Sequence, residues 1–305
     1  MSGHPPAGSA TPVTVVGGYL GAGKTTLLNH VLATADERVA VLVNDFGDIN
    51  IDAALIAGSD GDAIELANGC ICCSLVDGFA SALRTVKALI PGPDRLVVEA
   101  SGVADPATVA AYAQTPGLTL DAVIVVADGE TIEDRATDRY VGDTVLAQLR
   151  AADIIVVNKA DLVTAPALDR VLSWLGVVST SAIIVPAERG RVPIELLFGV
   201  VPMRDRRPIE PPGPTHAEFA TWTWRAARPL SGAAIERVMD ELPDEVWRLK
   251  GVVELDSGGR HSLQRVGRRW SLQALDADAG ESIIVAIGRP GAIDDGWLAS
   301  RLDPS

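Results

Sequence analysis

Cysteine is nearly absent from this chain of 305 residues: there are three, and all of them fall between positions 70 and 73. A set so tightly clustered cannot staple distant parts of a fold. It therefore excludes a disulfide framework and points to metal or redox chemistry in a reducing compartment. Histidine is also scarce. His4 and His216 read as tail and linker residues, His30 as part of a first helix and His261 as a turn residue, and none has ligand spacing. Long apolar runs are missing as well. Val123 to Ala127 and Ile154 to Val157 are far short of the roughly 20 residues that span a bilayer. The opening Met-Ser-Gly-His-Pro-Pro-Ala-Gly-Ser-Ala has neither the basic start nor the apolar centre of a secretory signal, so the expectation is a cytoplasmic protein without a membrane partner. Basic charge is in deficit, with 26 Lys and Arg against 40 Asp and Glu and a formal net charge of -14. Such a surface repels a polyphosphate backbone and disfavours nucleic acid, while remaining compatible with attracting cations.

What remains is a globular composition, 48% hydrophobic and 22% charged, long enough for one large domain and a smaller one. The chain is organised around residues 18–25, Gly-Tyr-Leu-Gly-Ala-Gly-Lys-Thr, which fit G-x-x-x-x-G-K-[ST]. Pro12 to Val16 before it reads as a buried strand. Leu27, Leu28, Val31 and Leu32 after it recur at helical spacing. A phosphate cradle requires that placement. Its glycines let the backbone N–H groups of Gly21, Ala22, Gly23 and Thr26 turn toward an anion, the helix N-terminus adds partial positive charge, Lys24 reaches the outer phosphates, and Thr25 offers a hydroxyl to Mg2+.

Further continuous apolar runs follow at Val39 to Val43, Leu96 to Val98, Ala122 to Ala127, Ile154 to Val157 and Ala182 to Val185. Helix patterns at about residues 78–89, 106–114, 141–151 and 167–175 alternate with them. This predicts an α/β fold, a P-loop NTPase with a mostly parallel sheet flanked by helices, whose strands end in polar residues at the edge where open sheets bind ligands. Residues 1–10 are expected to be a flexible N-terminus and 11–201 the P-loop domain. Residues 202–216, rich in proline and arginine, read as a stiff linker. Strand patterns at Phe219 to Trp224, Lys250 to Leu255, His261 to Val266, Arg269 to Leu272 and Ser282 to Ile287, with a helix at Ala233 to Leu242, predict a small C-terminal α+β domain over 217–290. A short helix and tail complete the chain over 291–305. Arg265, Arg268 and Arg269 read as a solvated basic face, and no internal repeat is present.

Three further segments carry chemistry. Asn158-Lys159-Ala160-Asp161 follows a strand. The Asp161 carboxylate there can accept two hydrogen bonds from the N1–H and N2–H2 edge of guanine, where adenine offers no matching donors, while Asn158 and the Lys159 stem hold the base plane. Glu99-Ala-Ser-Gly102 closes another strand. Glu99 can reach Mg2+ or its water, and Gly102 can present a bare backbone N–H to the terminal phosphate; Ser101 and Asp105 can at the same time cap the helix from Pro106. Cys70-Ile-Cys72-Cys73 lies between residues 44–48 and 99–102, both candidates to respond to nucleotide. Thiols at that spacing converge only from an irregular loop, and they suit Zn2+, Co2+ or Cu+, with Asp48, Asp45 or water as the fourth ligand.

Together, Gly18 to Asn29, Asn-Asp-Phe-Gly-Asp at 44–48, Asn-Gly-Cys-Ile-Cys-Cys at 68–73, Glu-Ala-Ser-Gly-Val-Ala-Asp-Pro at 99–106 and Asn158 to Asp161 resemble the CobW-like family of metallochaperone GTPases, relatives of the GTPases that insert nickel into urease and hydrogenase. Arg225 to Leu230, Arg248 to Val252 and Ile283 to Gly288 look like that family's C-terminal domain. The resemblance implies a slow GTPase with Lys24, Thr25 and Glu99 at its catalytic centre and GTP or GDP with Mg2+ as cofactors. It also implies a transition ion, Zn2+ or Co2+, held by Cys70, Cys72, Cys73 and Asp48 for transfer to a client metalloprotein, and it admits a homodimer. Two departures stand out. The interdomain region holds only His216, where many relatives have a histidine-rich stretch, and Val43 stands where some have a glutamate. Two other readings compete on the residues alone: a P-loop small-molecule kinase, and a metal-binding protein that GTP stabilises with negligible hydrolysis.

Overall fold

The computed structural model describes residues 10–43, 54–57, 64–66, 86, 92–113, 117–199, 220–226, 228–275, 280–294 and 296–302. The helix expected over 78–89 lies outside them except for Val86, which is helical and buried. The described chain divides into two compact units between Val192 and Pro193.

The first unit is built on strands β1 (Thr11–Gly17), β2 (Val39–Val43), β3 (Ala54–Ala57), β4 (Ile64–Leu66), β5 (Arg95–Glu99), β6 (Leu118–Asp128), β7 (Ile154–Asn158) and β8 (Ile183–Pro186), in the order β4-β3-β2-β5-β1-β6-β7-β8. From β2 to β8 every pairing is parallel. β3 and β4 extend the β2 edge in antiparallel fashion, an addition that the apolar runs did not announce. The helices are α1 (Lys24–Thr34), α2 (Pro106–Tyr112), α3 (Ile132–Thr137), α4 (Gly142–Ala151) and α5 (Ala165–Val178). β5 and β7 are buried along their whole length, as expected of parallel strands covered on both faces. Val13, Val15, Leu96, Val98, Val123, Val125, Ile155 and Val157 alternate along the four central strands into one core.

The chain returns to both sides of β1, placing β5 on one side and β6 on the other, which makes the carboxyl end of β1 a topological switch point, the place where open sheets bind ligands. The opposite end of the sheet is closed by charge. Asp121 is the extra residue of a bulge in β6, between the pairs Val13–Leu120 and Thr14–Ala122. Its carboxylate accepts from Arg95 Nη1, while Arg95 Nε donates to Glu37. Burial opposes the charge on Arg95, but the carboxylates of Asp121 and Glu37 outweigh it and raise the guanidinium pKa above its ordinary value.

In the second unit β9 (Ala220–Ala226), β10 (Val246–Glu254), β11 (Arg260–Val266), β12 (Arg269–Leu275) and β13 (Ser282–Gly288) form an antiparallel sheet in the order β12-β11-β10-β13-β9. Helix α6 (Ile194–Phe198) opens this unit, α7 (Gly232–Glu241) follows β9, and α8 (Trp297–Leu302) closes it. Ala234, Ile235, Val238 and Met239 turn one side of α7 inward. Leu298 and Leu302 of α8 are buried in the same core as Ile235, Leu249 and Ile284. Two sequence readings are corrected here. Arg265 is buried and donates to the carbonyls of Val246 and Leu242, because a guanidinium taken from water must find acceptors; Arg268 stays exposed against Asp244. His261 lies within β11, paired with Val253 and Ala274, and is not a turn residue. Among the described residues, no helix is long and apolar enough to cross a membrane.

Candidate nucleotide-binding site

The loop from Gly18 to Gly23 joins the carboxyl end of β1 to α1. Two of its glycines are irreplaceable on steric grounds. Gly18 has φ 131°, and a Cβ there would lie 2.2 Å from the Val126 carbonyl oxygen; Gly23 has φ 101°, and a Cβ would lie 2.2 Å from Asn158 Nδ2. Gly23 caps α1 without a side-chain hydrogen bond, and the helix N-terminus, with its partial positive charge, begins directly after the loop. Lys24 is buried and its Nζ donates to the Gly18 carbonyl at 2.9 Å, which folds the ammonium across the loop. Thr25 and Thr26 are exposed in that first turn. This is the chemistry a polyphosphate needs: fixed N–H donors, one confined cation, and a hydroxyl.

β5 supplies the adjacent wall. Glu99, its last residue, is buried and in register with Val16 of β1, so its carboxylate is placed beside the start of the loop. Oxygen donors of this kind, the Thr25 hydroxyl and the Glu99 carboxylate, suit Mg2+. Gly102 lies against the loop itself, since a Cβ there would fall 2.5 Å from Leu20 Cδ2 and 3.0 Å from Leu20 N. Asp105 caps α2, accepting from Ala107 N at 2.9 Å with Pro106 at the first helical position. Ser101 Oγ accepts from Val103 N at 3.4 Å instead of reaching α2.

The third wall is the turn after β7. Asp161 stands exposed in a single turn of 3-10 helix, Ala160–Leu162. Asn158 is buried and committed at both ends: Nδ2 donates to the Ala22 carbonyl at 3.0 Å, and Oδ1 accepts from Gly190 N at 2.8 Å. Its amide thus ties three loops together. Lys159 adopts φ 61°, and its Nζ donates to Asp128 Oδ2 at 2.6 Å. Sequence reasoning overlooked both Asp128, at the end of β6, and the segment Ala187 to Val192. That segment receives a bond from Ala160 N at Ala187 O and accepts from His30 Nε2 at Val192 O, assuming the protonated-Nε2 tautomer. The only available signals were the acidic close of an apolar run and a glycine two residues after Glu188. Cys70, Cys72, Cys73, Asp45 and Asp48 lie outside the described residues. Among the described residues, no group of three or more His, Cys, Asp or Glu could hold a metal ion.

A family model described as the CobW/HypB/UreG nucleotide-binding domain matches residues 12–186, more than half of the chain, and one described as the cobalamin synthesis protein cobW C-terminal domain matches residues 219–304. The chain belongs to the CobW/HypB/UreG family. Similar members include the zinc chaperone CobW of Pseudomonas aeruginosa, 34% identical over 223 residues that cover 62% of this chain and 60% of that one. The zinc chaperone YeiR of Escherichia coli is 34% identical over 194 residues, covering 61% and 58% respectively. The match therefore spans less than two thirds of either relative's length. Among solved structures, Zn(II)-bound YjiA GTPase from E. coli aligns over 96% of this chain and 98% of its own, at 24% identity and a TM-score of 0.47. In this CobW/HypB/UreG member, the P-loop, the Glu99 strand end and the Asn158 turn all fall within the nucleotide-binding match.

Proposed function

We propose that the protein is a GTP-dependent zinc chaperone: it binds GTP with Mg2+ at the Gly18–Thr26 cradle, holds Zn2+ at the Cys70, Cys72 and Cys73 loop, and releases it to a client metalloprotein as the nucleotide state changes. The observation that carries the nucleotide half is Asn158, whose side chain joins the phosphate cradle at Ala22 to the turn bearing Asp161. One amide therefore fixes the distance between a triphosphate reader and a base reader. Lys24 and Gly102 take the outer phosphates, and Thr25 and Glu99 hold Mg2+, which neutralises phosphate charge when bound. Zinc is the cargo suited to three thiolates, and the relatives named zinc chaperones support that choice over Co2+. Slow turnover has its own support. The residue after Gly102 is Val103, 52% exposed, a hydrocarbon that can neither accept a proton from water nor orient one.

The test is competition among nucleotides. The wild-type protein is expected to hold GTP far more tightly than ATP. Asp161→Asn removes two charge-assisted bonds, each worth roughly 1.5–3 kcal/mol, and should weaken GTP by about 100-fold or more. The same substitution should improve binding of xanthosine triphosphate, whose C2 carbonyl matches an amide donor. Equal affinity of the wild type for ATP and GTP would overturn the reading.

A further inference from the structure

Helix α4 carries an amide where its period calls for hydrocarbon. Val145, Gln148 and Leu149 share the inward face at helical spacing, and all three are buried. A polar group in that position must be satisfied, and Gln148 is satisfied in one specific way. Its Nε2 donates to the Gly102 carbonyl at 3.2 Å and to the Ala104 carbonyl at 2.9 Å. Two carbonyl acceptors settle which end of the amide is nitrogen, and they use both of its donors. The carbonyls of both residues flanking Val103 are thereby pinned to α4. The platform behind it is stiff: Gly142, which starts α4, is packed so closely on α3 that a Cβ would fall 2.6 Å from the Ala136 carbonyl oxygen.

We propose that Gln148 is a positioning residue for the triphosphate state: by holding the carbonyls of Gly102 and Ala104 against α4, it presets the loop so that Gly102 faces the cradle at Leu20, ready to meet a terminal phosphate. The inference rests on the nucleotide reading above and deepens it. GDP has no terminal phosphate for this loop to meet, so its affinity does not depend on the latch. GTP does depend on it, because without Gln148 the loop must be ordered at the moment of binding. Nothing in the sequence motifs singles out residue 148, which lies 46 residues from the carbonyl of Gly102.

Two variants of preserved length test this, Gln148→Met, which keeps volume without donors, and Gln148→Glu, which keeps shape but turns acceptor oxygens toward two carbonyls. Affinities for GDP and for a non-hydrolysable GTP analogue are measured on the full chain by titration calorimetry, with thermal midpoints recorded alongside. The expected result is an analogue affinity lowered about tenfold, the scale of one to two hydrogen bonds, with GDP affinity unchanged within about twofold. A buried amide with a purely structural role would lower the thermal midpoint and leave the analogue-to-GDP ratio at its wild-type value, and that result would overturn the proposal while leaving the nucleotide reading intact. Wild-type protein that binds neither nucleotide overturns both.

Discussion

Asn158 illustrates what a single residue can reveal only after folding. The tetrapeptide Asn-Lys-Ala-Asp suggested that its side chain would help hold a base, yet both ends of the amide are bonded to backbone, at positions 136 and 32 residues away in sequence. Those partners were illegible because no local pattern links Ala22, Asn158 and Gly190. The glycine at 23, by contrast, was legible from the motif, and the structure adds why nothing larger fits: a Cβ would strike Asn158 Nδ2. The consequence can be measured. Asn158→Ala leaves the Ala22 carbonyl and the Gly190 N–H without their partner, at about 1–3 kcal/mol for each unsatisfied group. Urea denaturation should show a loss of roughly 2–6 kcal/mol, the low end applying where water enters. Asn158→Asp retains an acceptor for Gly190 N but turns a buried carboxylate oxygen toward the Ala22 carbonyl, and should cost at least as much as Asn158→Ala. Wild-type stability in Asn158→Ala would mean that the three loops are held by something else.

At the scale of elements, the six parallel strands were readable because Val and Ile runs buried on both faces leave an unbroken apolar signature, and Asp105-Pro106 announced the start of α2. β3 and β4 were not readable, since four- and three-residue segments on an edge are too short to show a period. The bulge at Asp121 was also hidden, as an aspartate inside an apolar strand looks like its boundary until Arg95 is found beside it. β5 separates two roles along its length: Arg95 at its first residue belongs to the buried charge cluster, and Glu99 at its last belongs to the candidate site. That separation makes a prediction. Asp121→Ala leaves a buried guanidinium with Glu37 as its remaining named carboxylate and should cost about 3–5 kcal/mol, the usual effect of breaking a buried pair. The preference for GTP over ATP should survive in the folded fraction. A change in that preference without loss of stability would contradict the division of β5 into a structural end and a binding end.

For the whole molecule the question is whether nucleotide and metal are coupled. Under the proposed function, the cysteine segment lies in sequence between residues 44–48 and the Glu99–Gly102 wall, so a nucleotide whose terminal phosphate meets Gly102 would have a route to the thiolates. Coupling of this kind is reciprocal: if GTP raises the affinity for Zn2+ by some factor, Zn2+ must raise the affinity for GTP by the same factor. A net charge of -14 also attracts any divalent cation, so specific binding has to be separated from a general electrostatic field that salt would screen. Anaerobically purified protein should therefore be titrated with Zn2+, and with Co2+ as a coloured stand-in, in moderate salt, once with a GTP analogue and once with GDP. Tighter Zn2+ binding with the analogue, matched by an equal gain in analogue affinity when Zn2+ is present, is the expected pair of results. Replacing Cys72 and Cys73 together by alanine should abolish the thiolate absorption of bound Co2+ and the nucleotide dependence, leaving GTP affinity at its metal-free value. Identical Zn2+ affinities in the two nucleotide states would leave a nucleotide-binding domain and a metal loop on one chain with no physical means for one to direct the other.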